Sequence, residues 1–258
     1  MKNIIKKIYL ILMLFYLYAP ILVLIVLSFN EARSRVVWGG FSLKWYADLF
    51  RNQMVLDALK TTLVIAFSSA LAATVLGTLA CLGINRMRRF PRTVVMGINN
   101  IPMMNADIVT GIALMLCFMA FGVTLSLQTV LLAHITFNVP YVILSVMPKL
   151  KQLEGGAYEA ALDLGASPVY AFFRVVMPDL MPGILSGFLM AFTMSLDDFV
   201  ITHFTTGAGV NTLSTLIYSE VRRGIKPTLY ALSALMFISV LVLLILINVR
   251  PQKKEMID

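Results

Sequence analysis

Glu159-Ala160-Ala161, three residues, Gly165, nine residues, then Val175-Val176-Met177-Pro178: this stretch decides how the chain is read. It lies in a polar segment, Lys149 to Asp179, between two hydrophobic stretches, where a membrane chain of this size usually keeps its connections minimal. Ala157, Ala160, Ala161 and Leu164 recur at three- and four-residue intervals, which predicts a short helix with a small, smooth stripe that a groove on another protein can accept. Gly165 ends that helix. Ser167 is placed to cap the next one, and Pro168 suits its first turn, where a missing N–H costs nothing and the fixed φ is already helical. The expectation is two short helices joined by a bend, forming a docking element.

Outside this segment the chain is apolar. Hydrophobic residues make up 59% of it and charged residues 13%, and its mean hydropathy is +0.87, well beyond the range of soluble domains. A helix needs about 20 apolar residues to cross the hydrocarbon core. Six stretches qualify: 8–29, 61–84, 93–122, 124–147, 180–203 and 228–249. The expected fold is therefore all-α, a polytopic membrane protein of six transmembrane helices in one domain spanning residues 1–258. The first stretch is longer than the apolar region of a secretory signal and is read as a retained span. Cys81 and Cys117 both fall in spans and are expected to be packing thiols, with no disulfide framework and no metal-ligand spacing.

Charge placement sets the expected orientation. Lys2, Lys6, Lys7, the cluster Arg86, Arg88, Arg89 and Arg92, then Lys149, Lys151, Arg174, Arg250, Lys253 and Lys254 fall on one side. The positive-inside rule places that side, with both termini and the 149–179 loop, in the cytoplasm. The net charge of +8 calls for no nucleic acid, since a basic rim beside anionic lipid accounts for it. On the other side, Phe41 to Tyr46 reads as a short interfacial helix with its aromatics at headgroup depth. Neither outward loop is long enough to form a binding domain, so substrate capture falls to a separate protein or to the spans.

No phosphate-binding loop, zinc motif or nucleophile elbow occurs, so no catalytic or metal site is expected on this chain. His134, followed by Thr136 and Asn138, reads as an interhelical hydrogen bonder. Three carboxylates remain, Asp107, Asp197 and Asp198. A carboxylate at mid-bilayer costs about 2.5–3.5 kcal/mol, so they should face a cavity or a partner rather than lipid. Asp107 lies about 21 Å along the third stretch and the other two about 26 Å along the fifth, all in the outer half. No Lys or Arg lies in any stretch, which suggests that the chain offers these acids no ion-pair partner and that a cationic substrate completes the balance. Pro102 should break the helix between Ile101 and Asp107 beside a cavity. Asp107 also suits a helix N-cap after the break, and Asp197-Asp198 also suits an interfacial pair reaching water, of which at most one faces a pore squarely.

The Glu159–Pro178 spacing is similar to the E-A-A-x3-G-x9-I-x-L-P signature of permease subunits of bacterial ABC importers, with Val175 in place of Ile and Met177 in place of Leu. Asn105 to Val109, His134 to Phe137 and Ser195 to Val200 extend the likeness to permeases of spermidine/putrescine importers. The resemblance implies a type I ABC importer permease fold in a bacterial cytoplasmic membrane. Glu159, Ala160, Ala161, Gly165 and Pro178 would serve as the coupling surface for two ATPase subunits, which would hold ATP and Mg while this chain holds no cofactor. It also implies a second permease chain, usually in a heterodimer, and an extracytoplasmic binding protein that delivers polyamine. An ABC permease for an organophosphonate, iron or thiamine is the nearest alternative. An ion-coupled secondary transporter using the same Asp residues is the more distant one.

Overall fold

The computed structural model describes residues 2–33, 36–152, 156–223 and 226–248, and its regular structure is helical, with one isolated bridge between Asn30 and Phe41. Arg250, Lys253 and Lys254, which bear on the orientation, lie outside the described residues. The chain divides into two compact units, Met1–Asp57 with Leu216–Asp258, and Ala58–Thr215.

In the first unit α1 (Lys2–Ser28) packs along α12 (Pro227–Asn248), which also meets α2 (Lys44–Arg51). Asn30 organises the turn after α1. Its Nδ2 donates to Val37 O at 2.9 Å, and its Oδ1 accepts from the N–H groups of Gly39 at 2.8 Å and Ala32 at 3.2 Å. Trp45 Nε1 donates to Asn30 O at 2.7 Å and the indole is buried. The expected interfacial helix is thus displaced and partly inverted. It begins at Lys44 rather than Phe41, and Trp45 packs inward because its N–H finds a carbonyl there.

The second unit is built around α6 (Leu127–Gln152). Against it runs α9 (Met177–Asp197), whose buried residues include Gly183, Gly187, Ala191 and Ser195, one at every fourth position. Small side chains at this period bring two helix backbones together, which matters in a bilayer where lipid competes equally for apolar side chains. A Cβ on Gly187 would lie 3.3 Å from Val142 Cα, and one on Gly183 3.0 Å from Lys149 Cγ. From the other side α3 (Gln53–Arg86) brings Gly77, where a Cβ would sit 2.7 Å from Val142 Cγ1. Val142 is therefore held between two glycines. Cys81 is buried, its Sγ 3.8 Å from Met147 Sδ, whereas Cys117 is exposed and does not pack as expected.

Among the described residues, four helical segments are long and apolar enough to cross a membrane: Lys6–Ser28, Gln53–Arg86, Leu127–Gln152 and Pro168–Asp197. A fifth exists only as a bent pair, α4 (Arg89–Met104) and α5 (Asp107–Ala120), which meet at 109°. The single stretch read as residues 93–122 is broken where Pro102 predicts. Pro102 withdraws a backbone donor in the last turn of α4, and Asn105 and Ala106 adopt extended conformations before α5 begins. Within the described side chains, the apolar part of α12 is the shorter helix Pro227–Val242. The stretch read as 180–203 is also interrupted, with α9 ending at Asp197 and α10 (Val200–Thr205) restarting after two residues.

Candidate functional site

The 159–178 segment folds as its residues dictate. α7 (Ala157–Asp163) ends on Leu164, and Gly165 follows at φ +86°, the left-handed conformation that glycine adopts without penalty. Gly165 N–H donates to Leu162 O at 2.9 Å and Ala166 N–H to Ala161 O at 3.0 Å. This pair of bonds is the Schellman closure, which satisfies carbonyls left open at a helix end. No heavy atom lies within 4 Å of the position of a Gly165 Cβ, so backbone conformation, not space, requires glycine. The side chain of Ser167 accepts the N–H of Tyr170 at 3.3 Å, and Pro168 occupies the first turn of α8 (Pro168–Ala171).

From there the helix continues unbroken through a π turn, Phe172–Val176, into α9. Pro178 explains the widened turn: it has no N–H for the carbonyl four residues back, and Met177 N–H reaches Phe172 O, five back. Glu159 and Ala160 are exposed, as are Leu164, Val169, Tyr170 and Phe173. Ala161 is half-buried, and the side chain of Ala157 lies outside the described residues. Glu159 also lines a cavity of about 480 Å³ shared with Asn85, Arg86, Tyr158 and Phe172.

The three intramembrane acids converge at the other end of the same continuous helix. Asp107 is in the first turn of α5, where a negative charge suits the helix dipole; the N-cap position itself belongs to Ala106. α10 packs against α5 at Gly111, where a Cβ would lie 3.1 Å from Phe204 Cδ2. The charges of Asp107 and Asp198 both act on Asp197, and that of Asp107 also reaches Tyr141. Asp107 and Asp197 are exposed, while the Asp198 side chain is 9% exposed.

Asp198 differs because the chain leaves the helix there, at φ −61° and ψ 125°. Its Oδ1 accepts Ile201 N–H at 3.3 Å, and its Oδ2 accepts Thr202 N–H at 2.7 Å and Thr202 Oγ1–H at 2.8 Å, so it caps α10. His134 Nε2 stands 3.5 Å from Oδ2. The chain does supply Asp198 a close polar neighbour inside the membrane segment, the His134 ring. It is neither Lys nor Arg, and it comes from a helix 64 residues away in sequence. The reading of His134 as an interhelical hydrogen bonder holds: Nδ1 meets Ser195 Oγ at 2.5 Å and Nε2 meets Thr202 Oγ1 at 2.9 Å. Ser195 Oγ also meets Ser69 Oγ of α3 at 3.1 Å. Ser69, Ser195 and Thr202 carried no role in the sequence reading. The four-residue spacing from Gly183 to Ser195 is the signal that placed Ser195 on the buried face.

Residues 73–251 match the family of binding-protein-dependent transport system inner membrane components. The chain is 38% identical over 232 residues to the putrescine transport system permease protein PotI of Escherichia coli (strain K12), covering 85% of this chain and 81% of that one. It is 38% identical over 230 residues to the spermidine/putrescine transport system permease protein PotC of the same strain, covering 89% and 87%. The Haemophilus influenzae PotC protein is 36% identical over 240 residues, covering 93% of each chain. Among solved structures, a bacterial ABC transporter that imports the acidic polysaccharide alginate superposes with a TM-score of 0.71 at 17% identity over 96% of both chains. The MetNI methionine ABC transporter superposes with a TM-score of 0.60 at 20% identity, over 81% of this chain and 95% of that one. At such identities these two likenesses speak for the fold alone. The chain belongs to the binding-protein-dependent transport system inner membrane components, the ABC transporter permease family.

Proposed function

We propose that the chain is a permease subunit of an ATP-driven importer of polyamines, with the 149–179 loop as the surface that meets the ATPase. The observation that carries this reading is the unbroken helix from Pro168 to Asp197. One end is fixed to the Gly165 bend and an exposed apolar surface, and the other end carries Asp197. At 1.5 Å per residue it spans about 45 Å, long enough to cross the bilayer and carry a displacement of the loop to the carboxylates. Closure of two ATPase subunits around ATP and Mg, which this chain does not bind, would tilt the helix and alternate access between the two sides. Asp107 and Asp197 supply spaced negative charge for ammonium groups, with Tyr141 nearby. The 36–38% identity to putrescine and spermidine/putrescine permeases supports polyamine as the cargo.

On this reading residues 1–258 form a single permease domain with six crossings, the bent α4–α5 pair and α12 completing the four longer spans. A second permease chain and an extracytoplasmic binding protein complete the importer. Both termini and the 149–179 loop face the cytoplasm, which Arg86, Arg88, Arg89 and Arg92 favour. A phosphatase reporter that works only outside the cytoplasm is expected to be active when fused after Trp45 or Gly209 and silent after Arg89 or Gly165. The opposite pattern overturns the orientation. In the purified complex, ATP hydrolysis is expected to rise when polyamine-loaded binding protein is added. A rate indifferent to that protein counts against the importer reading.

A further inference from the structure

The gap between α9 and α10 is bridged by one side chain of α6. The last turn of α9 contributes Ser195 Oγ and the first turn of α10 contributes Thr202 Oγ1, and the two nitrogens of His134 take one each, at 2.5 and 2.9 Å. The imidazole is 1% exposed, on the face of α6 that packs against α9, with the Phe137 ring edge-on at 5.2 Å. Between the bridged helices lie Asp198, whose carboxylate takes the N–H groups of Ile201 and Thr202 and stands against the same imidazole, and Phe199. An exposed carboxylate at the last residue of α9, Asp197, therefore points where this bridge lets it point. The last turn of a helix frays readily, so the clamp across the break is what holds Asp197 at the end of α9 in place.

We infer that His134 is a positioning residue for the cation pathway: by bridging Ser195 and Thr202 and anchoring Asp198, it fixes Asp197 in register with Asp107. Asp198 is on this account a structural anchor and not a contact for substrate. The inference rests on the polyamine reading above and adds to it a determinant of selectivity. A dication and a longer trication sample the separation of two carboxylates differently, so loosening the clamp alters their relative transport. Simple destabilisation lowers both alike.

The test uses the complete importer in cells, with labelled putrescine and spermidine and membrane levels of the chain measured alongside. Thr202→Val keeps the volume and removes the hydroxyl, His134→Gln keeps hydrogen bonding but cannot span both partners, and Thr202→Ser restores the hydroxyl. Thr202→Val and His134→Gln are expected to change the spermidine-to-putrescine uptake ratio by about threefold or more, that is by at least ~0.6 kcal/mol of differential interaction. Thr202→Ser is expected to keep the parental ratio. A ratio that stays parental in Thr202→Val and His134→Gln, whether their rates hold or fall together, overturns the inference. So does a Thr202→Ser ratio that matches Thr202→Val. The double variant Asp107→Asn/Asp197→Asn separates the two layers: parental uptake by it removes the substrate reading itself. Loss of uptake there with unchanged ratios at 134 and 202 removes only the role of His134.

Discussion

Substituting Asp107→Asn or Asp197→Asn is expected to lower polyamine uptake at least thirtyfold, and Asp197→Asn to leave the protein no less stable. Asparagine keeps the shape and much of the hydrogen bonding but loses the charge. Loss of one ionic contact to a desolvated ammonium costs about 2–5 kcal/mol, and each 1.4 kcal/mol is about tenfold. Stability should not fall at Asp197, because the charges of Asp198 and Asp107 both weigh against its carboxylate. Removing one of two repelling carboxylates relieves that repulsion. A melting temperature held or raised together with a collapse of transport is the signature of acids kept for function at the expense of stability. Asp198→Asn should differ. It weakens the cap on α10, so it is expected to lower the melting temperature, and parental stability in that variant contradicts the anchoring role.

Gly165→Val and Glu159→Lys are expected to abolish uptake while membrane insertion persists. At φ +86° a side chain costs about 1–2 kcal/mol, more for a β-branched one. The Schellman bonds would then yield, and the angle between α7 and the long Pro168–Asp197 helix with them. Gly165→Asn provides the control, since asparagine tolerates the left-handed conformation and a Cβ at 165 meets nothing. It is expected to retain most uptake. Glu159→Lys puts a second cation into the cavity that Arg86 lines and reverses the charge of an exposed loop position. Normal stimulation of ATP hydrolysis by loaded binding protein in both Gly165→Val and Glu159→Lys excludes the loop as the coupling surface.

What could be read from the residues, and what could not, follows the range of the forces involved. The Gly165 bend, the Ser167 cap and the break after Pro102 were legible because each depends on the backbone chemistry of a few consecutive residues. The 109° between α4 and α5 was not, since a proline marks where a helix fails and not the direction in which the chain resumes. His134 was legible as a hydrogen bonder from its setting in an apolar helix. Its partners on α9 and α10 required the packing of Gly183 and Gly187 against α6, which sets the register that places Ser195 opposite it. The surroundings of Asp198 were not legible for the same reason: its neighbour in sequence is Asp197, but its neighbour in space is an imidazole. Trp45 illustrates a local pattern overruled, its indole drawn inward by the Asn30 carbonyl.

The importer account stands most directly on uptake itself. Labelled putrescine and spermidine should enter cells that carry the complete transporter, stop entering when this chain alone is deleted, and enter again when it is restored. Unlabelled polyamine should compete, and methionine or an organophosphonate should not. Polyamine uptake that persists at the parental rate without this chain, or that the restored and assembled chain fails to recover, contradicts the account.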